Sequence, residues 1–322
     1  MKSSGIGGQA VIEGIMMKNK DCYAVAVRKP DKNIEVTKRT YRGITKGKKF
    51  INLPFIRGIF AFADSLVLGM KTLTYSASFV EEDLHEEDKT GDKVARTIFR
   101  EKAEAALMTL TVILSIIIAV AVFIVLPYFL SEIILRYSNI ASETLKVVLE
   151  GVLKILIFII YILLISRMKD IQRTFMYHGA EHKCINCIES GKELTVENVM
   201  KSSKVHKRCG TSFLFLVLFI SILFFIFIRF DAIWLRYVVR ILLIPVIAGV
   251  AYEIIKKAGN SDSKFFNFIS KPGLWMQKLT TKEPDEDMVE VAIAAVEEVF
   301  DWKAYLKEQN DELEIVYQDE EK

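Results

Sequence analysis

The sequence predicts a mainly α-helical polytopic membrane protein with four transmembrane helices, a small N-terminal β-rich cytosolic part and a C-terminal amphipathic helix. The chain has 322 residues, of which 52% are hydrophobic and 26% charged. Its charges avoid four apolar windows, which lie at 107–130, 147–166, 211–228 and 237–255. Average composition would place about 21 charged residues there, and the windows hold four. A charge at the centre of a bilayer costs roughly 2.5–3.5 kcal/mol, so this depletion indicates membrane-spanning helices.

The remaining charges and the cysteines exclude several other classes of protein. The net charge is +3, but residues 285–322 alone carry 3 basic and 14 acidic groups. A uniformly basic surface for nucleic acid is therefore disfavoured. Four cysteines are too few to form a secreted disulfide framework, and the first residues lack the apolar core of a signal peptide. We expect the polar parts to face the cytosol.

The N-terminal segment, 1–49, alternates in the manner of β-strands. The pattern predicts strands at 10–17, 23–27 and 34–36, which would form a small antiparallel sheet. A run of basic residues closes the segment. The next stretch, 50–80, is largely apolar, and its charges Arg57, Asp64 and Lys71 are seven residues apart, on nearly one stripe of a helix. This spacing predicts an amphipathic helix at the membrane surface.

A fifth span within 54–79 is the alternative for that helix, but it would carry the basic run across the membrane against the positive-inside bias. Residues 81–104 then read as a charged linker. The first two transmembrane helices are assigned to 105–166, with Pro127 tolerated near the end of the first. The second two are assigned to 211–255. Glu150 is expected to pair with Lys154 or with Arg240, which join helices rather than mark a transport path.

Orientation follows from the basic residues between the spans. The central loop at 167–210 holds nine Lys and Arg residues, whereas 131–146 and 229–236 hold two each. Both termini and the central loop are therefore predicted to be cytoplasmic. The C-terminal part, 256–322, is predicted to contain an interfacial segment, an amphipathic helix with an apolar face from Met288 to Leu306, and a solvated acidic tail.

The central loop contains the residues that indicate chemistry. His178, Glu181 and His182 form a His-x-x-Glu-His sequence, and on a helix that continues from the second span the three share one face. Imidazole nitrogens at positions i and i+4 can bind one Zn²⁺, and this order is the inverted zincin pattern. Three His and three Cys fall within 32 residues, in a chain with 4 of each, which favours a metal site over surface histidines.

A third ligand is expected from His206 or Cys209, or both. They are three residues apart and lie just before the third span. A cap-like Thr195 predicts a short helix near 196–203 that returns the chain toward the first helix. Glu181 would then act as a general base or as a further ligand. Cys184 and Cys187 form a Cys-x-x-Cys, for which a redox role is the less favoured interpretation because Cys187 would point away from His178.

Six blocks of the sequence carry a family resemblance. They are the Gly-Gly-Gln-Ala-Val-Ile-Glu-Gly-Ile-Met-Met run (7–17), Leu-Pro-Phe-Ile-Arg-Gly (53–58), Tyr-His-Gly-Ala-Glu-His-Lys (177–183), Leu-Thr-Val-Glu-Asn (194–198), Arg-Cys-Gly-Thr-Ser-Phe (208–213) and the segment 273–285. Together they resemble the YqhQ-like family of bacterial multipass membrane proteins, which carries a domain of unknown function. The resemblance covers nearly the whole chain and implies a metal-dependent enzyme without a defined substrate.

The sequence thus predicts a zinc-type metal-dependent enzyme, a hydrolase at the cytosolic membrane surface. His178, His182, His206 and Cys209 are its expected metal ligands, Glu181 its catalytic residue, and a divalent metal such as Zn²⁺ its cofactor. Expected partners are membrane lipid and a membrane-embedded peptide or lipid substrate, without specific nucleic acid. Two alternatives stay open at this point: a non-enzymatic scaffold or assembly factor with a structural metal, and a transporter.

Overall fold

The computed structural model describes residues 3–43, 51, 53–85, 94–138, 142–228, 233–259 and 263–320. Its strands are β1 (Gly7–Val11), β2 (Gly14–Asn19), β3 (Cys22–Arg28) and β4 (Ile34–Thr40). Its helices are α1 (Ile56–His85), α2 (Val94–Val120), α3 (Leu126–Tyr137), α4 (Glu143–Ile165), α5 (Lys169–Glu189), α6 (Val196–Met200), α7 (Gly210–Phe227), α8 (Ile233–Gly259), α9 (Lys264–Thr280), α10 (Glu286–Val299) and α11 (Trp302–Glu320).

The N-terminal strands form one antiparallel sheet in the order β1-β2-β3-β4. The single strand predicted at 10–17 is wrong, because the chain reverses between Val11 and Gly14. Glu13 adopts φ +48° in this turn, a conformation that alternating hydrophobicity does not reveal. Gly14 then passes so close to β3 that an added Cβ would lie 2.2 Å from the Ala26 carbonyl oxygen. A tight turn therefore divides one apolar run into two strands.

The sheet is covered on both faces by helices. Ile15, Met17 and Ala26 are fully buried in a core shared with α5 and α10. Val11, Val25 and other residues of the opposite face pack on Leu68 of α1. Successive strand residues point to opposite faces, so an apolar run of this kind matches a sheet buried on both sides. The result is a layered unit built from both ends of the chain and its middle.

Helix α1 occupies the stretch predicted as an amphipathic helix. Arg57 donates two hydrogen bonds of 2.6 Å to the carboxylate of Glu253 on α8. Asp64 is buried and accepts a hydrogen bond from the Tyr41 hydroxyl at 3.1 Å. Two charges of the predicted stripe are thus paired within the protein. They attach α1 to α8 and to the sheet.

Four of the described helical stretches are long and apolar enough to cross a membrane: Thr109–Tyr137, Thr144–Ile165, Gly210–Phe227 and Val238–Gly259. They suggest a membrane protein and match the four predicted spans. Both ends of the expected 81–104 linker are helical, because α1 continues to His85 and the helix leading into the first span begins at Val94. Residues 86–93 lie outside the described residues.

The first span contains a π-helical turn, Ala121–Val125, directly before α3. Pro127 stands in the first turn of α3. Within a regular helix the proline ring would collide with the carbonyl group four residues earlier. A π-turn changes the local hydrogen-bond spacing and removes this conflict. The proline therefore continues the span instead of ending it.

The expected ion pair between the spans is present in a three-membered form. Glu150 of α4 accepts hydrogen bonds of 2.7 Å from both Lys154 and Arg240. The Glu150 side chain is 3% exposed. Because a buried charge needs a partner, this cluster connects α4 to α8. The pairing matches the structural interpretation of these charges.

The C-terminal part differs from the prediction in one respect. The apolar face expected to run from Met288 to Leu306 belongs to two helices, since α10 ends at Val299 and α11 begins at Trp302. Phe300 between them is extended, with φ −143°. Most of the buried side chains of this face are on α10, which packs on α5 and the sheet.

Candidate metal centre

Helix α5 positions the two histidines. Residues 166–168 separate it from α4, so the second span and the histidines lie on two helices rather than on the single continuous helix that the sequence predicts. His178 and His182 are one turn apart on α5 and face the same side, with ring centroids 4.4 Å apart. His182 is 1% exposed. The i, i+4 arrangement predicted from the sequence is therefore present on a helix of its own.

Cys209 joins this pair from the end of the same loop, where it is the N-cap residue of α7. Its Sγ lies 3.1 Å from Nε2 of His178. One ligand atom each from His178, His182 and Cys209 all lie within 4.8 Å of one another. A tetrahedral zinc with its usual bond lengths separates an imidazole nitrogen and a thiolate sulfur by about 3.5 Å. The donor set and its spacing therefore fit a zinc-type ion after a small adjustment.

Backbone carbonyl groups fix the orientation of both imidazole rings. Nδ1 of His178 lies 2.9 Å from the Thr280 carbonyl oxygen, and Nδ1 of His182 lies 2.7 Å from the Lys204 carbonyl oxygen. A carbonyl oxygen can only accept, so each Nδ1 carries the proton. Each Nε2 then keeps its lone pair for a metal. This arrangement of outer hydrogen bonds is typical of histidine metal ligands.

The loop that supplies the Lys204 carbonyl group is held by other polar side chains of α5. Lys183 is buried and donates to the carbonyl oxygens of Met200 and Ser202 at 2.8 and 2.9 Å. Asn186 donates to those of Ser203 and Val205 at 2.6 and 3.0 Å. These contacts satisfy backbone groups that no helix or strand pairs. Neither residue has a role predicted from the sequence.

Gln277 of α9 holds the segment before Cys209 in the same way. It is fully buried, accepts from the His206 backbone N–H at 2.9 Å, and donates to the His206 carbonyl oxygen at 2.7 Å. Its amide nitrogen also lies 2.6 Å from Oγ of Ser212. The side chain thereby replaces a strand partner for the loop. It fixes the chain on both sides of Cys209.

Gly179 permits the close approach of the segment that follows α9. A Cβ on this residue would lie 2.0 Å from the Lys282 carbonyl oxygen, and the Lys282 N–H bonds to the Phe175 carbonyl oxygen at 2.9 Å. Any larger side chain would push the crossing segment outward. The segment starts directly after Thr280, the last residue of α9, whose carbonyl oxygen accepts from His178. The close approach of this segment therefore explains why position 179 is a glycine.

Glu181 lines a cavity of about 100 Å³ together with His178, His182 and Cys209. Its side chain is buried, and burial raises the pKa of its carboxyl group, against the lowering effects of His178 and of the backbone N–H of Gly8. Gly8 is close enough that an added Cβ would lie 3.0 Å from Cγ of Glu181. The edge strand β1 therefore closes one wall of the cavity beside this carboxylate.

His206 is near the three donors but points elsewhere. Its ring centroid is 5.8 Å from that of His182, while its Nε2 lies 3.5 Å from a carboxylate oxygen of Glu189 and 3.4 Å from Arg208. Burial raises the pKa of Glu189, but the His206 and Arg208 contacts outweigh it and lower this pKa to about 2. Of the predicted ligands, His206 alone lies outside the three-donor set found among the described residues.

Comparison with known proteins supports the resemblance seen in the sequence. The family described as "Protein of unknown function (DUF1385)" matches residues 53–302. The chain belongs to this family. It is also 36% identical over 310 residues to the "Uncharacterized protein YqhQ" of Bacillus subtilis (strain 168), an alignment that covers 94% of each chain. No solved structure matches the chain.

The DUF1385 match contains most of the centre. His178, Glu181, His182, Cys209 and Gln277 all fall within it. The sheet lies outside the matched range, so Gly8 beside Glu181 comes from a part of the chain that the family model does not match.

Cys184 and Cys187 do not join the centre. Both are buried in the core between α5, α10 and the sheet, and Sγ of Cys187 lies 3.4 Å from the Glu193 carbonyl oxygen. Burial raises the pKa of both thiols. A redox pair needs an accessible thiolate, so these residues fit a packing role.

Proposed function

We propose that the protein is a zinc-type metal-dependent hydrolase that acts at the cytosolic surface of the membrane. The observation that carries the proposal is the set formed by His178, His182 and Cys209, in which both imidazole rings bond a carbonyl oxygen through Nδ1 and leave Nε2 for a metal. Three protein ligands with one open position are typical of catalytic zinc sites. The cavity of about 100 Å³ provides that open side.

Each residue of the centre has a defined task. His178, His182 and Cys209 hold the ion, and a bound zinc would supply Lewis-acid activation of water. Glu181 lines the same cavity and accepts the proton of the attacking water, which it later gives to the leaving group. Thr280 and Lys204 keep the imidazole rings in the required tautomer. The β1 wall limits access of bulk water.

A closed structural site would need a fourth protein ligand. His206 is the predicted residue for that position, but its Nε2 is engaged near Glu189 and Arg208. Glu181 remains as a fourth donor for the structural alternative. The catalytic version is preferred because the three ligands and Glu181 line one cavity, which leaves room beside them for a water molecule or a substrate group.

The cytosolic orientation also belongs to the proposal. The sheet, α5 and α10 pack into one unit, although two candidate spans separate the sheet from α5 and two more separate α5 from α10. An even number of crossings returns the chain to the same side each time. The excess of basic residues in the central loop then favours the cytosol for that side.

Metal content tests the ligand set. We expect one equivalent of zinc in the purified protein, none in the H178A/H182A variant, and weaker retention in C209A. H206A should keep the metal, and C22S in strand β3 serves as a cysteine control. With Co²⁺ in place of zinc, a charge-transfer band from the thiolate should disappear in C209S. Unchanged stoichiometry in H178A/H182A would remove the site.

The Glu181→Gln variant tests catalysis separately from binding. It keeps the size of the side chain but cannot accept a proton. We expect one equivalent of metal to remain and hydrolysis of p-nitrophenyl phosphate or acetate to fall by about 10²- to 10⁴-fold. Equal rates in wild type and E181Q would favour the scaffold with a structural metal.

A further inference from the structure

A wider polar cleft lies next to the metal centre. This cleft has a volume of about 590 Å³ and lies between the sheet, α1 and the last turns of α8. Ile6, Gly7, Gly8 and Arg208 line both the cleft and the small cavity beside the ligands. A molecule bound in the cleft would therefore lie against the same residues that border the centre.

The cleft is positively charged. Lys18, Lys20 and Lys256 line it, and Asp64 is its single lining carboxylate among the described residues. Asp64 already accepts a hydrogen bond from Tyr41, and Arg208 is already paired with Glu189. The three lysines thus leave a net positive charge in the cleft. Such a lining is complementary to a phosphate-bearing group.

A second, apolar groove adjoins the cleft. It has a volume of about 320 Å³ and is formed by α7, α8 and α9. Its walls include Leu216, Phe219 and Leu223, which belong to a candidate membrane span. Ile255 of α8 lines both the groove and the cleft. A charged volume and an apolar volume therefore meet at one residue, at one end of the fourth span.

We propose that the substrate is an anionic lipid with a phosphate headgroup, an inference that rests on the proposed hydrolase. The headgroup occupies the lysine-lined cleft, and an acyl chain lies in the groove beside α7. Ile255 marks the crossing from one to the other. The headgroup then lies against residues that also line the small cavity, and Glu181 and the metal ligands line that same cavity.

A lipid explains both volumes, whereas other anions explain one. Inorganic phosphate or a soluble phosphate ester would use the cleft but leave the groove without a role. An acidic peptide would also match the lysines, but an extended backbone has polar groups along its whole length. The polar residues of the groove expose little surface to it, and the rest of its lining is apolar; the polar ones are Lys207, Ser212, Ser270 and Lys271. The joint geometry therefore favours an amphiphile that carries both a charge and a hydrocarbon chain.

The test measures thermal stabilisation of the zinc-loaded protein in neutral detergent micelles. The probe is dioctanoyl phosphatidic acid, compared with inorganic phosphate, dioctanoylglycerol and hexaglutamate at equal concentrations. We expect only phosphatidic acid to raise Tm in a saturable manner. The K20E/K256E variant should weaken the apparent affinity for phosphatidic acid by about tenfold or more. We expect each lysine to contribute to headgroup binding about as much as a lysine contributes to the binding of an anionic membrane surface.

Two further variants separate the parts of the site. L223W fills the groove and should reduce the response to phosphatidic acid to that of inorganic phosphate. K192E changes an exposed lysine outside both volumes and should leave the response unchanged. An equal Tm rise with inorganic phosphate or hexaglutamate, or an unchanged affinity in K20E/K256E, would overturn the lipid proposal.

The same samples distinguish this inference from the proposed function. Zinc is counted in each by elemental analysis. If one equivalent of zinc is present but phosphatidic acid gives no Tm rise, the lipid inference alone fails. If H178A/H182A lacks zinc and still responds to phosphatidic acid, the lipid site stands without the help of the metal.

Discussion

At the scale of single residues, Gly179 shows how a position without chemistry supports the candidate metal centre. Its missing side chain lets the segment after α9 cross α5, and Thr280, the last residue of α9 before that crossing, bonds His178 through its carbonyl group. Gly179→Ala should displace this crossing and lower the stability by about 1–3 kcal/mol, the usual cost of overpacking. It should also weaken zinc binding by roughly 10- to 100-fold, which is the usual effect of disturbing a group that hydrogen-bonds to a metal ligand and orients it.

The measurements are thermal unfolding and competition for zinc with a chelator. Gly7→Ala is the matched control for an added methyl group: Gly7 also lines the cavity beside the ligands, but a Cβ there meets nothing within 4 Å. If G179A and G7A bind zinc equally well, the crossing segment does not position His178.

The three clustered donors could be predicted from sequence because their spacing is local. His178 and His182 are one helical turn apart, and Cys209 stands at the start of an apolar span. The same reasoning also predicted His206, whose side chain faces Glu189 instead. Gln277 could not be found in this way. Its partners are backbone groups of His206, 71 residues earlier, and no periodicity in the sequence reports a hydrogen bond of that kind.

At the scale of elements, α5 holds the loop that leads into α7, the third candidate span. Lys183 is the clearest example, since it is 4% exposed and bonds two carbonyl oxygens as well as facing Glu283 at 3.0 Å. Lys183→Met keeps the length of the side chain but removes the donor. It should cost about 2–4 kcal/mol, because buried carbonyl groups lose their partner, and it should weaken zinc binding through His182.

Chemical denaturation and zinc titration would measure both effects. Lys201→Met is the neighbouring control: its ion pair with Glu197 is exposed, and such pairs contribute about 0.3–0.5 kcal/mol. A K183M variant as stable as K201M would mean that the loop keeps its shape without this lysine.

Elements were predicted well where one interaction dominates, and less well where the chain changes direction. The four apolar helices follow from composition alone. The turn between β1 and β2 could not be predicted, because it depends on a positive φ at Glu13 and glutamate has no strong preference for that conformation. The end of α10 at Val299 was missed because the apolar period continues through the break into α11. In both places the hydrophobic pattern persists while the backbone turns.

At the scale of the whole molecule, the unit formed by the sheet, α5 and α10 requires its parts to lie on one side of the membrane. We expect K192C, near the end of α5, to react with a membrane-impermeant maleimide in inverted vesicles and not in intact cells. Y137C, at the far end of the first candidate span, should show the opposite pattern. Tyr137 is 85% exposed, so its replacement should not disturb packing.

The C22S background removes the half-buried native cysteine, and the other three native cysteines are buried. Labelling of both engineered positions from the same side would contradict the predicted topology of four spans.

The layered unit also determines when the chain can finish folding during its synthesis. Strands β1–β4 leave the ribosome about 245 residues before α10 does, which at common synthesis rates of roughly 5–20 residues per second is a delay of about 10–50 s. During that time Ile15 and Met17 have no complete cover, although they are fully buried in the finished protein. Folding of the layered unit must therefore wait until α10 has been synthesised, and nascent chains that stop short of residue 286 should be targets for proteolytic quality control.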